Sequence, residues 1–159
     1  MPQDDAPTIT TAEDFERLLA DPATTRAQLV SVKGSAQLWW QVLARCPEAA
    51  AWVAANRHLP LEIAEHLALH PSLPVRAALA SGGCVPEQLM QRLAHDKSEF
   101  IRLRVVCNAN ASREVLMALA ADPCQLVSAH AQARLVHDIS GVALPASYLD
   151  DVSVLDLLH

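Results

Sequence analysis

A short motif, Leu-Ala-x-x-Pro, recurs along the chain at a nearly constant interval. Full copies are LARCP, LALHP and LAADP, and LLADP and LAHDK are weaker copies. Their leading leucines are separated by 25, 24, 26 and 26 residues. A period of this size is typical of proteins built from stacked repeats. The five leading leucines are Leu18, Leu43, Leu67, Leu93 and Leu119.

The last three copies each predict two short helices joined by a turn. Pro60, Pro86 and Ser112 open the first helix of each copy, because these residues suit a helix start. Apolar residues at i and i+4, such as Ile63 and Leu67, then form a stripe that one helix face can bury. The second helices carry the same spacing in the pairs Val75–Leu79, Ile101–Val105 and Val127–Ala131.

One such helical hairpin cannot be stable alone. Burying a leucine contributes roughly 1.5–3 kcal/mol, whereas ordering each residue costs about 1–2 kcal/mol. Stacked copies cover one another and share a continuous core. We therefore expect a single all-α domain over 1–159, an α-solenoid of about five two-helix repeats of 24–26 residues. Residues 1–17 would form a leader and cap, 18–135 the repeats, and 136–159 a C-terminal cap.

Composition and charge narrow the class of protein. Hydrophobic residues make up 52% of the chain but aromatic residues only 4%, which suits closely packed helices. The net charge is −6. Segments 1–25 and 138–159 carry −5 and −4, and segment 26–137 carries +3. An acidic chain with a mildly basic middle argues against general nucleic-acid binding, which needs a dense positive surface.

The cysteines and the first residues indicate a cytoplasmic protein. The N-terminal stretch MPQDDAPTITTAEDF is acidic and lacks the apolar segment of a signal peptide. No apolar run approaches the length that spans a bilayer, so we expect no association with a membrane. Reduced thiols are expected in that compartment. The four cysteines, none closely paired, are Cys46, Cys84, Cys107 and Cys124.

The segments HPSLPVRAALASGGCVPEQLMQRLAHD and DPCQLVSAHAQARL resemble the leucine-rich repeat variant (LRV) family, and HEAT-like repeats are similar in appearance. The resemblance covers residues 18–135 and is strongest over 56–135. It implies a right-handed superhelix of alternating helical layers and a role in binding. One family member is associated with an N-terminal cysteine cluster holding an iron–sulfur centre. That property does not transfer, because no cysteine precedes Cys46.

The candidate binding residues lie along the second helices. Trp52, Arg76, Arg102 and Ser128 occupy similar places in successive second helices, so they would form a column. In one interpretation the arginines pair with acids of the turns and form a structural ladder. The turn residues are His70, Asp96 and Asp122. In the other, tryptophan and arginine form a recognition strip for carboxylates or phosphates, because both dominate interface hot spots. The predicted binding residues are Trp52, Arg76, Arg102 and Arg104, the last facing another way and widening the strip.

Other chemistry-bearing residues have simpler interpretations. Trp39 and Trp40 lie about 100° apart on a helix, so one can enter the core while the other lies at a flank. His66 and His70 have the i, i+4 spacing of metal ligands, but the Glu of an H-E-x-x-H motif and a third ligand in register are missing. No G-x-S-x-G or glycine-rich phosphate loop is present. We therefore expect no enzyme activity, metal or cofactor.

The predicted function is non-enzymatic binding of a protein or peptide. A nucleic-acid-binding HEAT-like module and a self-associating homo-oligomeric scaffold are the alternatives. The nucleic-acid alternative requires five arginines to line one groove. These are Arg76, Arg92, Arg102, Arg104 and Arg113.

Overall fold

The computed structural model describes residues 8–83 and 85–140, with side chains to residue 137. Most of the predicted C-terminal cap, 141–159, and the first seven residues of the predicted leader lie outside the described residues. The described residues contain ten α-helices and no β-strand, with one isolated bridge between Thr8 and Lys33. The all-α prediction is confirmed. None of the described helices has both the length and the apolar character needed to cross a bilayer.

The helices follow one another as five consecutive pairs. We call the first member of each pair an A helix and the second a B helix. A 3-10 turn, Pro47–Ala49, leads directly into the B helix of the second pair. The A helices are α1 (Ala12–Ala20), α3 (Ala36–Arg45), α5 (Leu61–Ala68), α7 (Glu87–Leu93) and α9 (Arg113–Leu119). The B helices are α2 (Arg26–Leu29), α4 (Ala50–Ala54), α6 (Leu73–Ala80), α8 (Glu99–Cys107) and α10 (Gln125–Ser140).

Each pair packs mainly on its neighbours in sequence. Helix α4 packs on α6, α6 on α8, and α8 on α10. Helices α1, α3, α5 and α7 make the corresponding contacts among the A helices. The leading leucines of the last three pairs, Leu67, Leu93 and Leu119, are buried in the core between them. The motif therefore marks the side of each A helix that faces the core.

Local chemistry explains where the helices begin. Thr11 and Asp14 form the capping box of α1, in which each side chain accepts a hydrogen bond from the backbone of the other residue. The hydroxyl of Ser112 accepts from the amide of Val115 at the start of α9. Pro60 and Pro86 stand at the cap position, just before α5 and α7. The predicted helix starts are confirmed.

The second pair differs from the third and fourth in its internal turn. Helices α4, α6 and α8 end at equivalent bonds, in which the amides of Asn56, Gly82 and Asn108 donate to carbonyls three residues earlier. These three positions are 26 residues apart, although the leading leucines of the second and third pairs are separated by only 24. The A-to-B turn of the second pair is therefore two residues shorter. The 3-10 turn takes the place of the longer turn.

This shift corrects the predicted column. Trp52 is equivalent to Ala78 and Arg104, whereas Ala50 is equivalent to Arg76 and Arg102. Burial supports this register, because the residues that precede Ala50, Arg76, Arg102 and Ser128 all lie in the core. These core residues are Ala49, Val75, Ile101 and Val127, all at most 4% exposed. The predicted alignment of Trp52 with Arg76 and Arg102 is wrong by two residues.

Candidate interaction surface

Arg76 is directed into the protein and is only 5% exposed. Its Nε donates to Asp96 Oδ2 at 2.7 Å, and its Nη2 donates to the other carboxylate oxygen at 3.3 Å. Its Nη1 donates to the carbonyls of His70 and Pro71 at 2.8 and 3.0 Å. The guanidinium thus donates to the turn of its own helix pair and forms an ion pair with the acid of the next helix pair.

Arg102 repeats this geometry one pair further along. Its Nε and Nη2 donate to the two carboxylate oxygens of Asp122 at 2.6 and 2.9 Å, and its Nη1 donates to the carbonyl of Asp96 at 2.9 Å. The amide of Cys124 also donates to Asp122, at 2.8 Å. Hydrogen bonding from Arg102 lowers the pKa of the Asp122 carboxyl, and the same bonding raises the pKa of Arg102.

We call these two ion pairs the Arg–Asp ladder. Each rung joins one helix pair to the next, and the ladder stops where its residues are missing. Ala50 stands at the arginine position and His70 at the acid position of the preceding rung. Of the two interpretations from the sequence, this geometry fits the structural ladder for Arg76 and Arg102. Binding a partner through them would require these internal bonds to break.

A second set of contacts, which we call the carbonyl ladder, ties the other ends of the B helices together. The side-chain amide of Asn108 donates to the carbonyls of Ala80 and Gly82 at 2.8 and 2.9 Å. Arg134, 26 residues later, donates to the carbonyls of Val106 and Asn108. Asn56 makes the same kind of contact to Val32, at 2.9 Å.

Sequence reasoning missed the carbonyl ladder. The available signal was the recurrence of Asn56 and Asn108 two 26-residue intervals apart. Both asparagines are buried, and the side-chain oxygen of each accepts a hydrogen bond from the backbone amide two residues further along the chain. The position between them is Gly82, which has no side chain and so breaks the pattern.

The B helices also carry a column that belongs to neither ladder. It contains Trp52 on α4, Ala78 on α6, Arg104 on α8 and His130 on α10. Trp52, Arg104 and His130 are partly exposed, whereas Ala78 is buried. Arg104 Nε donates to the hydroxyl of Ser81 at 2.8 Å. We call the surface around this column the B face.

Burial, mainly, lowers the pKa of the Arg104 guanidinium; Cys107 opposes this shift, and the positive charge of Arg26 adds to it.

The two sets of helices differ in charge. The described A helices carry seven acids and four arginines. The B helices, taken to residue 137, carry five arginines and one acid, Glu99. Two of those arginines are neutralised by the Arg–Asp ladder. The B-helix residues up to 137 thus carry more basic than acidic side chains, whereas the A helices carry more acidic ones.

The two adjacent tryptophans of α3 have separate environments, as predicted. Trp39 is fully buried and meets Phe15 edge-to-face, with ring centroids 5.4 Å apart. Trp40 is 40% exposed and packs edge-on against His66 of α5, at 4.7 Å. Trp40 lies on an A helix, so it does not extend the B face.

The described residues contain no group of three or more metal-ligand side chains. Burial raises the pKa of the thiols of Cys46 and Cys107, which disfavours the reactive thiolate. The B face carries cationic side chains, an indole and hydrogen-bond donors. Comparisons with protein-family models, with curated proteins and with solved structures find no match to this chain.

Proposed function

We propose that this chain is a non-enzymatic binding module of the LRV or HEAT-like kind. In this proposal the five helix pairs are repeats of a right-handed α-solenoid, and a protein or peptide partner binds along the B face. The neighbour-to-neighbour packing of A helices and of B helices supports the solenoid. Such folds use their concave side as an extended binding surface.

The placement of Trp52 and Arg104 in one column of partly exposed side chains on the B helices carries this proposal. Both residue types are enriched at the energetic centres of interfaces. The guanidiniums of Arg76 and Arg102 bind carboxylates within the protein, and the Nε of Arg104 donates to the hydroxyl of Ser81. Trp52 and Arg104 are therefore the two predicted binding residues we retain for partner contact.

Affinity capture from native extract tests the proposal. The bait would be the full chain, compared with Trp52→Ala and Arg104→Ala variants. Arg113→Ala is the matched control, because Arg113 is an exposed arginine on an A helix. We expect both B-face variants to lose a partner that the control still captures. Equal recovery of every captured protein by all four baits would reject the B face as the binding surface.

The positions of the five arginines favour a protein partner over nucleic acid. Arg76 and Arg102 are in the Arg–Asp ladder, Arg92 and Arg113 lie on A helices, and Arg104 lies on the B face. A nucleic-acid groove would need them on one surface. Self-association and a cytoplasmic location stay predictions from the sequence, and light scattering of the purified protein tests the first.

A further inference from the structure

We propose that the stack of helix pairs contains a hinge at the junction between the second and third pairs. We call helices α1–α4 the N-terminal block and helices α5–α10 the C-terminal block. Polar side chains join the pairs within each block, whereas apolar packing and one exposed ring contact hold the blocks together. The two blocks can therefore shift against each other while each keeps its own shape.

The two pairs of the N-terminal block are joined by bonds from both of their helix layers. Arg45 of α3 donates from its Nε to the carboxylate of Glu16 on α1, at 2.9 Å. The side-chain amide of Asn56, just after α4, donates to the carbonyls of Leu29 and Val32 at 3.4 and 2.9 Å. A displacement within this block would have to break aligned hydrogen bonds.

The three pairs of the C-terminal block are joined in the same way. The Arg–Asp ladder and the carbonyl ladder each cross both of its junctions. Asn110 adds a bond to the carbonyl of Gly83 at 2.6 Å, and the hydroxyl of Ser112 adds one to the carboxylate of Glu87. This block is therefore tied together by directional bonds as well as by its core.

Both ladders are interrupted at the same junction, the one between the two blocks. A rung of the Arg–Asp ladder would need an arginine and an acid where the chain has Ala50 and His70. A contact of the carbonyl ladder would need a side-chain donor where the chain has Gly82. Among the described residues, no side-chain hydrogen bond or ion pair joins helices α3 and α4 to helices α5 and α6.

The contacts that remain at this junction permit sliding. Helix α4 packs on α6 and α3 on α5, and α4 and α6 each contain three alanines. Apolar contact is non-directional, so small shear movements of packed helices are easier than movements that break aligned bonds. The ring contact between Trp40 and His66 also crosses the junction, but both side chains are exposed. It can separate without uncovering the core.

The hinge lies between the two residues that we retain for partner contact. Trp52 is on α4 in the N-terminal block, and Arg104 is on α8 in the C-terminal block. Movement at the hinge would change the distance between them and so adjust the B face to a partner. This consequence rests on the proposed function, whereas the hinge itself does not.

Double electron–electron resonance on the full-length protein tests the hinge. Spin labels carried on p-acetylphenylalanine leave the native cysteines unchanged. The hinge labels stand at Gln41 and Gln91, so they span the proposed hinge and the next junction. The control labels stand at Glu65 and Met117, so they span the two junctions of the C-terminal block. All four positions are exposed on A helices. We expect the distance distribution of the hinge labels to be about twice as broad as that of the control labels, or broader.

Gly82→Asn supplies the missing donor of the carbonyl ladder, and Gly82→Ala is its matched control. We expect Gly82→Asn to narrow the distribution of the hinge labels toward the control width, whereas Gly82→Ala should leave it broad. Circular dichroism checks that each labelled protein is folded. Equal widths for the two sets of labels in the otherwise unchanged protein would overturn the inference. So would a broad distribution that persists in a Gly82→Asn protein more stable than Gly82→Ala.

The measurement needs no partner, so its result does not depend on whether the B face binds one. If Trp52→Ala and Arg104→Ala retain every captured protein, the proposed function fails and the hinge is unaffected. If a partner is captured through these residues while the two sets of labels show equal widths, the proposed function stands and only this inference fails.

Discussion

Removing the carboxylate of Asp122 should cost about 3 kcal/mol or more in the free energy of unfolding. The Asp122 side chain is 4% exposed and that of its partner Arg102 is 13% exposed, so the ion pair is largely shielded from water. Asp122→Ala leaves the guanidinium buried without its counter-charge, and breaking such a pair typically costs about 3–5 kcal/mol. It also removes the acceptor for the Cys124 amide.

Urea denaturation followed by circular dichroism measures this cost. The matched control is Glu16→Ala, which removes the Arg45–Glu16 pair. That pair has a similar N–O distance of 2.9 Å, but its side chains are 52% and 33% exposed. Exposed pairs contribute about 0–1 kcal/mol. Because Arg102→Met also removes the orphaned charge, the Asp122→Ala, Arg102→Met double variant should cost less than the two single changes combined.

A cost below about 1 kcal/mol for Asp122→Ala, equal to that of the exposed control, would refute the structural role of the ladder. Strict additivity in the double variant would refute the coupling between the two side chains. Either result would reopen Arg102 as a residue available to a partner.

Three further predictions concern single positions in the two ladders and their turns. Gly82→Asn should stabilise the protein by about 0.5–1.5 kcal/mol relative to Gly82→Ala. The Ala54 carbonyl oxygen lies 3.9 Å from a Cβ built at position 82, so the asparagine amide could donate to it. Equal melting temperatures of the two variants would contradict this. Desolvation, mainly, lowers the pKa of His70, whose neutral Nδ1 accepts from the Ser72 amide. Stability should therefore decline as pH falls below about 6.5, the unfolded value, toward the lower folded pKa. His70→Asn keeps a hydrogen-bond acceptor but does not titrate, so it should remove this decline when urea midpoints are measured against pH. An unchanged pH profile in that variant would contradict the assignment to His70. The lowered pKa of Asp122 predicts a second loss of stability below about pH 4, which Asp122→Asn should not show. The same loss of stability at acid pH in that variant would contradict the assignment.

Much of the fold could be predicted from the sequence because its determinants are local. The i, i+4 pairs, such as Ile63 and Leu67, define a helical face whatever surrounds them. The helix starts at Pro60, Pro86 and Ser112 depend only on residues within one turn. The separation of Trp39 from Trp40 follows from helical geometry alone. These predictions therefore hold in the structure.

The register of the second pair could not be predicted in the same way. A deletion of two residues can be placed in the A-to-B turn or in the turn that follows α4, and both choices preserve the apolar spacing. Only the hydrogen bonds that end α4, together with burial of Ala49, place it in the first turn. Trp52 thereby moves from the column of Arg102 to that of Arg104.

The sequence by itself determined the repeated helical hairpin, since periodic apolar residues and helix caps act over a few positions. Tertiary structure decided what each arginine does. Arg102 and Arg104 are two residues apart on one helix, yet one pairs with a buried acid and the other joins the B face. The partner of a charge depends on which neighbouring helix comes within hydrogen-bond distance, and the packing of the pairs against one another decides that.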